Sequence, residues 1–573
     1  MFNFELYKEG LRKTKTLGIL FIVGMLLGGI AQPLIEISNH INSVRLGWTH
    51  RDSLILVFGV RASLIMILAP FAGAPIITLS IFSFLNRRSD SDFYHAIPHK
   101  RETLFGSFIA AVLTWVIGGM WASSIISVII YAVSSYAYIQ LGSIILAVIG
   151  MSVASLLVIA ATSLAMTITG NGLSNIVTTG LILFLPRGLT TMFVGMIIEM
   201  TRVVSSANFG LLGNNHYNIL FGFFGEWRRD HNDVFTIGTV YTLVLGIIYL
   251  IVAGILFKKR HSELASNPGS KLIQHIIRVM VAFVITLPAI LIIVNNNPYN
   301  DRLPQIQLAI VVYIIAAFSY FAYEFFTMKK IPKLIKMIPG LLVIAVLNVI
   351  FIIGTSISRD VILQEVDVAN IHSIEIIDLN NDMFWLPSYA QLNLRGFTTT
   401  DNDITDFFGE SLNNNIERFS RREGQGRHDF QFWDHNEVRV RLNIDGGRNI
   451  TRSIWVRSFG LNRVLIEYEP YRELFMRMPE NPSQISFWGI EPRESLTQEQ
   501  LHHIYDVLRE EVAAVDFEDW HEAATHSRLG MRASIFYDLE VTDHHRYRSL
   551  FPITGELTPR TLELLESYLG IHD

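Results

Sequence analysis

The residues able to do chemistry in this chain fall into three sets, the first a charged loop. Asn86 to Phe105 reads NRRSDSDFYHAIPHKRETLF between two long apolar runs. It is too short for a domain and too charged to lie in lipid. Within it, Asp92-Phe93-Tyr94-His95-Ala96-Ile97-Pro98 predicts one or two amphipathic turns that stop at the proline, whose ring cannot continue a helix. Arg87, Arg88, Lys100 and Arg101 place the loop on the cytoplasmic side by the positive-inside rule. An intracellular knob of this kind is shaped to be pushed by something soluble.

The second set is ionisable residues in apolar surroundings: Arg187, Glu199 and Glu324. Charge inside a bilayer is costly and marks ion or proton paths. The plainer reading puts Glu199 near an interface beside Arg202, puts Glu324 near the end of its span, and lets Arg61 and Arg278 reach head groups. The third set is histidines: His502-His503, His521, His526 and His544-His545. Adjacent positions on a strand point to opposite faces, and a helical i, i+4 pair is missing, so solvated or structural roles are expected and no metal site. No G-x-x-x-x-G-K-[ST], H-E-x-x-H or G-x-S-x-G occurs. With no cysteine either, the chain has no disulfide, thiolate metal site or cysteine nucleophile.

The elements that position these residues follow from hydropathy. Half of the residues are hydrophobic and mean hydropathy is +0.36, far above a soluble average. After Ser356 there are 21 basic and 37 acidic residues; before it, 25 and 14. The last lysine is Lys336. A basic, apolar part therefore precedes an acidic, polar one, with the boundary near Gly354 to Arg359. Runs long enough to span a bilayer lie near 17–37, 54–84, 104–131, 141–168, 173–200, 234–257, 272–294, 306–327 and 338–357. The first is read as a membrane helix rather than a secretory signal, because it continues past Ala31 and many more follow. Nine spans put the two ends of the chain on opposite sides. The basic loops agree: Lys8 to Lys15, Arg87 to Arg101, Lys258 to Lys271 and Lys329 to Lys336 share one side. The polar C-terminal part then lies outside, and its lack of cysteines suggests a bacterial exterior. Pro186-Arg187-Gly188 interrupts the fifth run. The preferred form is a helix ending at Pro186 and a re-entrant segment Leu189–Met200; a kinked continuous helix is the alternative.

Residues 358–573 read as a soluble α+β domain. Val361–Leu379 is strand-like, Thr400 is a candidate cap for a helix to about Arg422, and Glu437–Leu442 alternates as a half-buried strand does. Asp445-Gly446-Gly447 turns into Thr451–Arg457. Thr497 with Gln500 is a capping box for a helix to about Val512, followed by strands Arg532–Val541 and Arg546–Pro552. Arg452-Ser453-Ile454-Trp455 and Arg548-Ser549-Leu550-Phe551 occupy matching places, which suggests a tandem repeat.

At these residues the chain resembles the ABC-2-type permeases, membrane subunits of ATP-binding-cassette transporters. Asp92–Pro98 followed by Lys100-Arg101-Glu102-Thr103-Leu104-Phe105 is similar to the family's cytoplasmic helix before the third span. A six-span core would end at Phe257-Lys258-Lys259-Arg260-His261-Ser262-Glu263, with the re-entrant segment before its sixth span. The resemblance covers about 1–265. Residues 266–357 would add three spans, and 358–573 an extracytoplasmic domain. That combination looks like permeases of Gram-positive bacteria linked to envelope stress and peptide-antibiotic response.

The resemblance implies a polytopic α-helical subunit in the bacterial cell membrane. Its partners would be a separate ATPase that binds ATP and Mg, a second permease subunit in a homo- or heterodimer, and the bilayer, with no nucleic acid; the subunit itself would be non-catalytic and hold no cofactor of its own. Phe93, Tyr94 and Ile97 would anchor the ATPase, while Arg88, Lys100 and Arg101 steer docking; His95 and Pro98 complete the helix. Two other classes stay open. One is an ion-coupled transporter using Arg187, Glu199 and Glu324; the other is a membrane-anchored envelope receptor.

Overall fold

The structure, a computed structural model, describes residues 2–46, 54–57, 64–209, 237–261, 271–294, 302–328, 338–379, 394–420, 435–444, 447–476, 484–487, 497–517, 519, 531–540, 546–554 and 557–569. A short helix α1 (Phe4–Lys13) opens the chain. The Asn3 side chain accepts from the Glu5 and Leu6 amides at 2.9 and 3.1 Å, which satisfies two otherwise orphaned donors. The long helices follow: α2 (Lys15–Arg45), α5 (Arg101–Val133), α6 (Leu141–Ile168), α7 (Gly172–Thr201), α8 (Ile237–Lys259), α9 (Lys271–Val294), α10 (Arg302–Met328) and α11 (Pro339–Ile362). Among the described residues these eight are long and apolar enough to cross a membrane. The chain thus has a polytopic helical membrane domain.

Two expectations are corrected. The run 54–84 is not one continuous span. It contains strand β1 (Ile55–Val57), paired in parallel with β2 (Ala137–Ile139). A 3-10 turn (Leu64–Ile67), a π turn (Ala69–Gly73) and helix α3 (Ala74–Ile81) follow. Together they make a shorter apolar helix, Ile65–Ile81. Pro70 and Pro75 each remove an amide donor within six residues, so the hydrogen-bond ladder must change pitch there. The second correction concerns α7, which is a single helix through Pro186 with no re-entrant break before Met200. One lost amide is a smaller penalty than exposing the several backbone groups of a re-entrant turn to hydrocarbon. Between α3 and α5 lie a 3-10 turn (Ser83–Asn86) and α4 (Arg88–Ala96).

Helices α2 and α5 pack closely because glycine faces serine: a Cβ on Gly29 would lie 2.6 Å from Ser123 Oγ. Ser127 Oγ donates to the Gly29 carbonyl at 2.7 Å. Small residues that let backbones approach are how helices associate where lipid offers no hydrophobic gain.

Contacts divide the chain into two units. One comprises Met1–Val194, Phe209–Val294 and Arg302–Ile353; the other comprises Gly195–Asn208, Asn295–Asp301 and Gly354–Asp573. Helices α7 and α11 each begin in the first and end in the second. In the second unit, strands β3 (Ile371–Leu379), β4 (Thr398–Thr399), β5 (His435–Ile444) and β6 (Arg448–Arg457) form an antiparallel sheet in the order β4-β3-β5-β6. Val438, Val440, Leu442, Ile454 and Val456 are buried, as are Ile404, Phe408 and Leu412 of α12 (Asn402–Ser420). Helix α12 is capped by Asp401, not Thr400: its Oδ1 accepts from the Asp403 and Ile404 amides at 3.0 and 3.2 Å. The expected strand from Val361 begins only at Ile371, because α11 runs on to Ile362. Gly447, at φ 74°, sits where the β5–β6 hairpin reverses, a conformation that suits glycine. Helices α13 (Ser458–Ile466) and α14 (Glu469–Met476) follow.

A second sheet, β7 (Gln484–Phe487), β8 (Met531–Glu540) and β9 (Arg546–Thr554), is antiparallel in that order. Helix α15 (Gln498–Ala514) separates β7 from β8, and α16 (Pro559–Leu569) follows β9. The Thr497–Gln500 capping box is present at the start of α15. The first half runs strand, short strand, helix, hairpin and two helices, and the second runs strand, helix, hairpin and one helix. Arg452 pairs with Val440 and Arg548 with Asp538, so the two arginines lie four and two residues past the first paired residue of their strands.

Candidate functional site

Helix α4 is the structural counterpart of the amphipathic turns expected at Asp92–Pro98. It starts four residues earlier, at Arg88, and stops at Ile97, whose φ of −60° and ψ of 135° are the extended conformation imposed before Pro98. Its inner face is bedded in aromatic rings. Tyr94 lies 4.4 Å from Phe84 and 5.9 Å from Phe108, ring centre to ring centre. Phe82, Phe84, Phe108 and Phe257 are among the largest fully buried side chains, and Ser91, one turn from Tyr94, is buried with them. The outer face carries Arg88, Asp92, Ala96 and Phe93, which is 67% exposed. Ile97 is half-buried; Pro98 and Lys100 are exposed, and the backbone of His95 lies in α4.

Two of the residues expected to face a partner are engaged inside the protein. Tyr94 belongs to the bed and not to the exposed face. Arg101 caps the end of α8, its Nη1 donating to the carbonyls of Lys258 at 3.1 Å and Arg260 at 2.7 Å. Beside it, Glu102 pairs with Lys258 at 2.6 Å. The start of α5 is thus fixed to the end of α8 by complementing a helix C-terminus with cations.

Arg260 is the strongest fastener beneath α4. Its side chain is 2% exposed. It donates to the carbonyls of Met166 and Thr169 (2.7 Å), at the end of α6, and of Leu85 (2.9 Å), just ahead of α4. Burial lowers its pKa to about 10, so it stays protonated near neutrality. Asn175 of α7 donates to Asn86 at 2.9 Å, which ties the same turn to another helix. In the sequence Arg260 is one more basic residue flanking a span. Its partners are main-chain carbonyls 91 to 175 residues away, which no side-chain pattern announces.

The intramembrane charges are placed as follows. Glu324 of α10 pairs with Arg278 of α9 at 2.5 Å, the two side chains being 2% and 3% exposed. The Arg278 guanidinium also stacks 4.9 Å from the Tyr320 ring centre and lies 2.9 Å from His275 Nδ1. Arg278 does not reach out to head groups as expected. Arg187 is buried on α7 within the first unit, while Glu199 is exposed on the part of α7 that belongs to the second.

In the second unit, the end of α7 is fastened to β6. Arg202, at φ 52°, ends the helix in the left-handed conformation. Its carbonyl accepts from Trp455 Nε1 at 3.0 Å; the Val203 carbonyl accepts from the Ser453 amide at 2.9 Å, and Asn208 Nδ2 donates to the Thr451 carbonyl at 2.6 Å. Among the described residues no three His, Asp or Glu side chains converge on a metal-sized site. His503 bonds the Tyr568 hydroxyl at 2.7 Å and His502 is exposed. His521, His526, His544 and His545 lie outside the described residues.

No family model matches this sequence, and neither the curated proteins nor the solved structures yield a match.

Proposed function

We propose that this chain is the membrane subunit of a bacterial transporter driven by a separate ATP-hydrolysing subunit, which docks on α4. The observation that carries this reading is the two-sidedness of α4. Phe93 stands exposed on one face, while the other is bedded in rings and fastened through Arg260 and Asn175. An apolar anchor on a short helix that is rigidly seated suits a lever, because force applied to it reaches α5, α6, α7 and α8 together. In this reading the ATPase binds ATP and Mg, Phe93 and Ile97 are anchors, and Arg88 and Lys100 steer docking. Tyr94 and Arg101 hold the lever in place. A second permease subunit, identical or different, completes the pair.

The further spans and the acidic α+β unit are read as an extracytoplasmic extension serving export or envelope stress and peptide-antibiotic response. The common strand, helix, hairpin, helix order supports a tandem duplication within it. Its position outside requires the short helix Ile65–Ile81 to cross, giving nine crossings. The Arg278–Glu324 pair is the observation that favours ion-coupled transport instead. Its closed geometry, carboxylate on guanidinium, suits a structural clamp better than a site that must load and release an ion.

The test is Phe93→Ala combined with Ile97→Ala in the complex purified with its ATPase. Membrane insertion is expected to stay intact, while stimulation of ATP hydrolysis and transport fall at least tenfold. Unchanged stimulation and transport would reject the coupling role.

A further inference from the structure

Five of the ten residues of α1 are charged, so in the sequence they read as an aqueous leader to α2. The fold gives this helix three sides. At about 100° per residue, Leu6 and Gly10 share a side buried against α5, where a Cβ on Gly10 would lie 3.0 Å from that of Ala111. To one hand of that side stand Phe4, Tyr7 and Leu11, and to the other Glu5, Glu9 and Arg12. Lys8 lies between the two flanks, paired with Glu5 at 3.3 Å and set 4.5 Å from the Phe4 ring centre. Phe4 is 57% exposed, as is Phe2 just ahead of the helix. Both rings lie against Tyr7, at 6.0 and 5.6 Å between centres.

Contacts with α5 set the level of α1 in the bilayer. The Asn3 amide donates to Ser107 Oγ at 3.0 Å, the Tyr7 and Thr114 hydroxyls bond each other at 3.0 Å, and Trp115 Nε1 donates to Thr14 Oγ1 at 3.1 Å. Those α5 positions lie about 9–21 Å along the helix from Arg101. With 33 residues α5 is about 50 Å long, so it overhangs a hydrocarbon core of about 30 Å by about 10 Å at each end. Helix α1 therefore sits where the hydrocarbon begins. Two contacts set its roll. Tyr7 reaches toward Thr114, away from the Arg101 end of α5, while Lys13 turns to α4, its Nζ 4.5 Å from the Tyr94 ring centre. The apolar flank faces the acyl chains, and the charged flank faces the head groups.

We propose that α1 is an interfacial helix sunk in the leaflet on the α4 side, its Phe4, Tyr7 and Leu11 flank covered by phospholipid acyl chains. Aromatic rings on one flank and charges on the other suit a helix lying at that boundary. Lys8, its stem over the Phe4 ring, carries its amine to head-group level. This lipid contact rests on neither the ATPase reading nor the side of the membrane assigned to α4.

A photoreactive side chain on each flank tests it. Phe4→p-benzoylphenylalanine keeps an aromatic ring on the apolar flank, and Arg12→p-benzoylphenylalanine puts the same group on the charged one. Each full-length variant is irradiated in phosphatidylcholine nanodiscs without a partner, and adducts on the probe-bearing peptide are weighed by mass spectrometry. Phospholipid adducts are expected to be about tenfold more abundant at Phe4 than at Arg12. Phe2 and Glu5 are a second pair of positions, expected to divide the same way if either first variant fails to assemble. Equal lipid adducts on the two flanks, none on either, or capture of a second copy of this chain in place of lipid would overturn the proposal.

Discussion

The bed of α4 and the hairpin of α9 and α10 both take an arginine out of water, and they satisfy it in opposite ways. Arg260 is held by three main-chain carbonyls from α6 and the turn ahead of α4. Arg278 is held by the carboxylate of Glu324. A neutral set of acceptors leaves the net charge in place and spends the guanidinium's several donors on fixing where backbones sit. A carboxylate cancels the charge and closes the site. The first arrangement positions a surface helix, and the second locks two spans together.

The largest effect should come from breaking the charge balance in the hairpin. Arg278→Met alone leaves Glu324 buried without its ion pair and is expected to cost about 3–5 kcal/mol, read as a large fall in Tm of the purified protein. Adding Glu324→Leu should recover most of that loss, since an apolar pair is often as stable as a buried ion pair. No recovery in the double variant would mean that the pair has a role beyond packing. Arg260→Met should behave differently, because no apolar partner can satisfy the carbonyls it leaves behind. About 1–3 kcal/mol is expected, with faster hydrogen exchange confined to 83–97. Arg260→Lys keeps the charge but not the fork of donors and should recover only part of the protection. The smallest effect is at the edge of the bed, where Glu102→Gln should leave Tm unchanged, since exposed ion pairs contribute little.

What could be read from sequence was local. The end of α4 follows from Ile97-Pro98, the start of α15 from Thr497 and Gln500, and β5 from the alternation in Glu437–Leu442. Each signal lies within a few residues of its effect. The failures have the opposite character. Pro70 and Pro75 lie inside an apolar run long enough to cross, and hydropathy alone predicts one continuous span there. Pro186 predicts a break that α7 does not make, because a proline inside a helix loses one bond and need not end it. Arg278 and Glu324 were both visible as charges, yet their pairing depends on how α9 and α10 face each other. Phe93 and Tyr94 are neighbours of the same class; helical geometry turns one outward and the other into the bed, and sequence did not say which. Lys13 reads as one more basic residue ahead of a span until Tyr94 is seen above it.

The chain has no cysteine, so Ser89→Cys, at an exposed position of α4 that carries no anchor, gives a unique thiol there, and its labelling tests the central claim most directly. A membrane-impermeant maleimide should leave intact cells unlabelled and modify this thiol in inside-out vesicles, with the ATPase subunit shielding it there. Labelling of intact cells, or equal labelling in vesicles with and without the ATPase, would contradict the account.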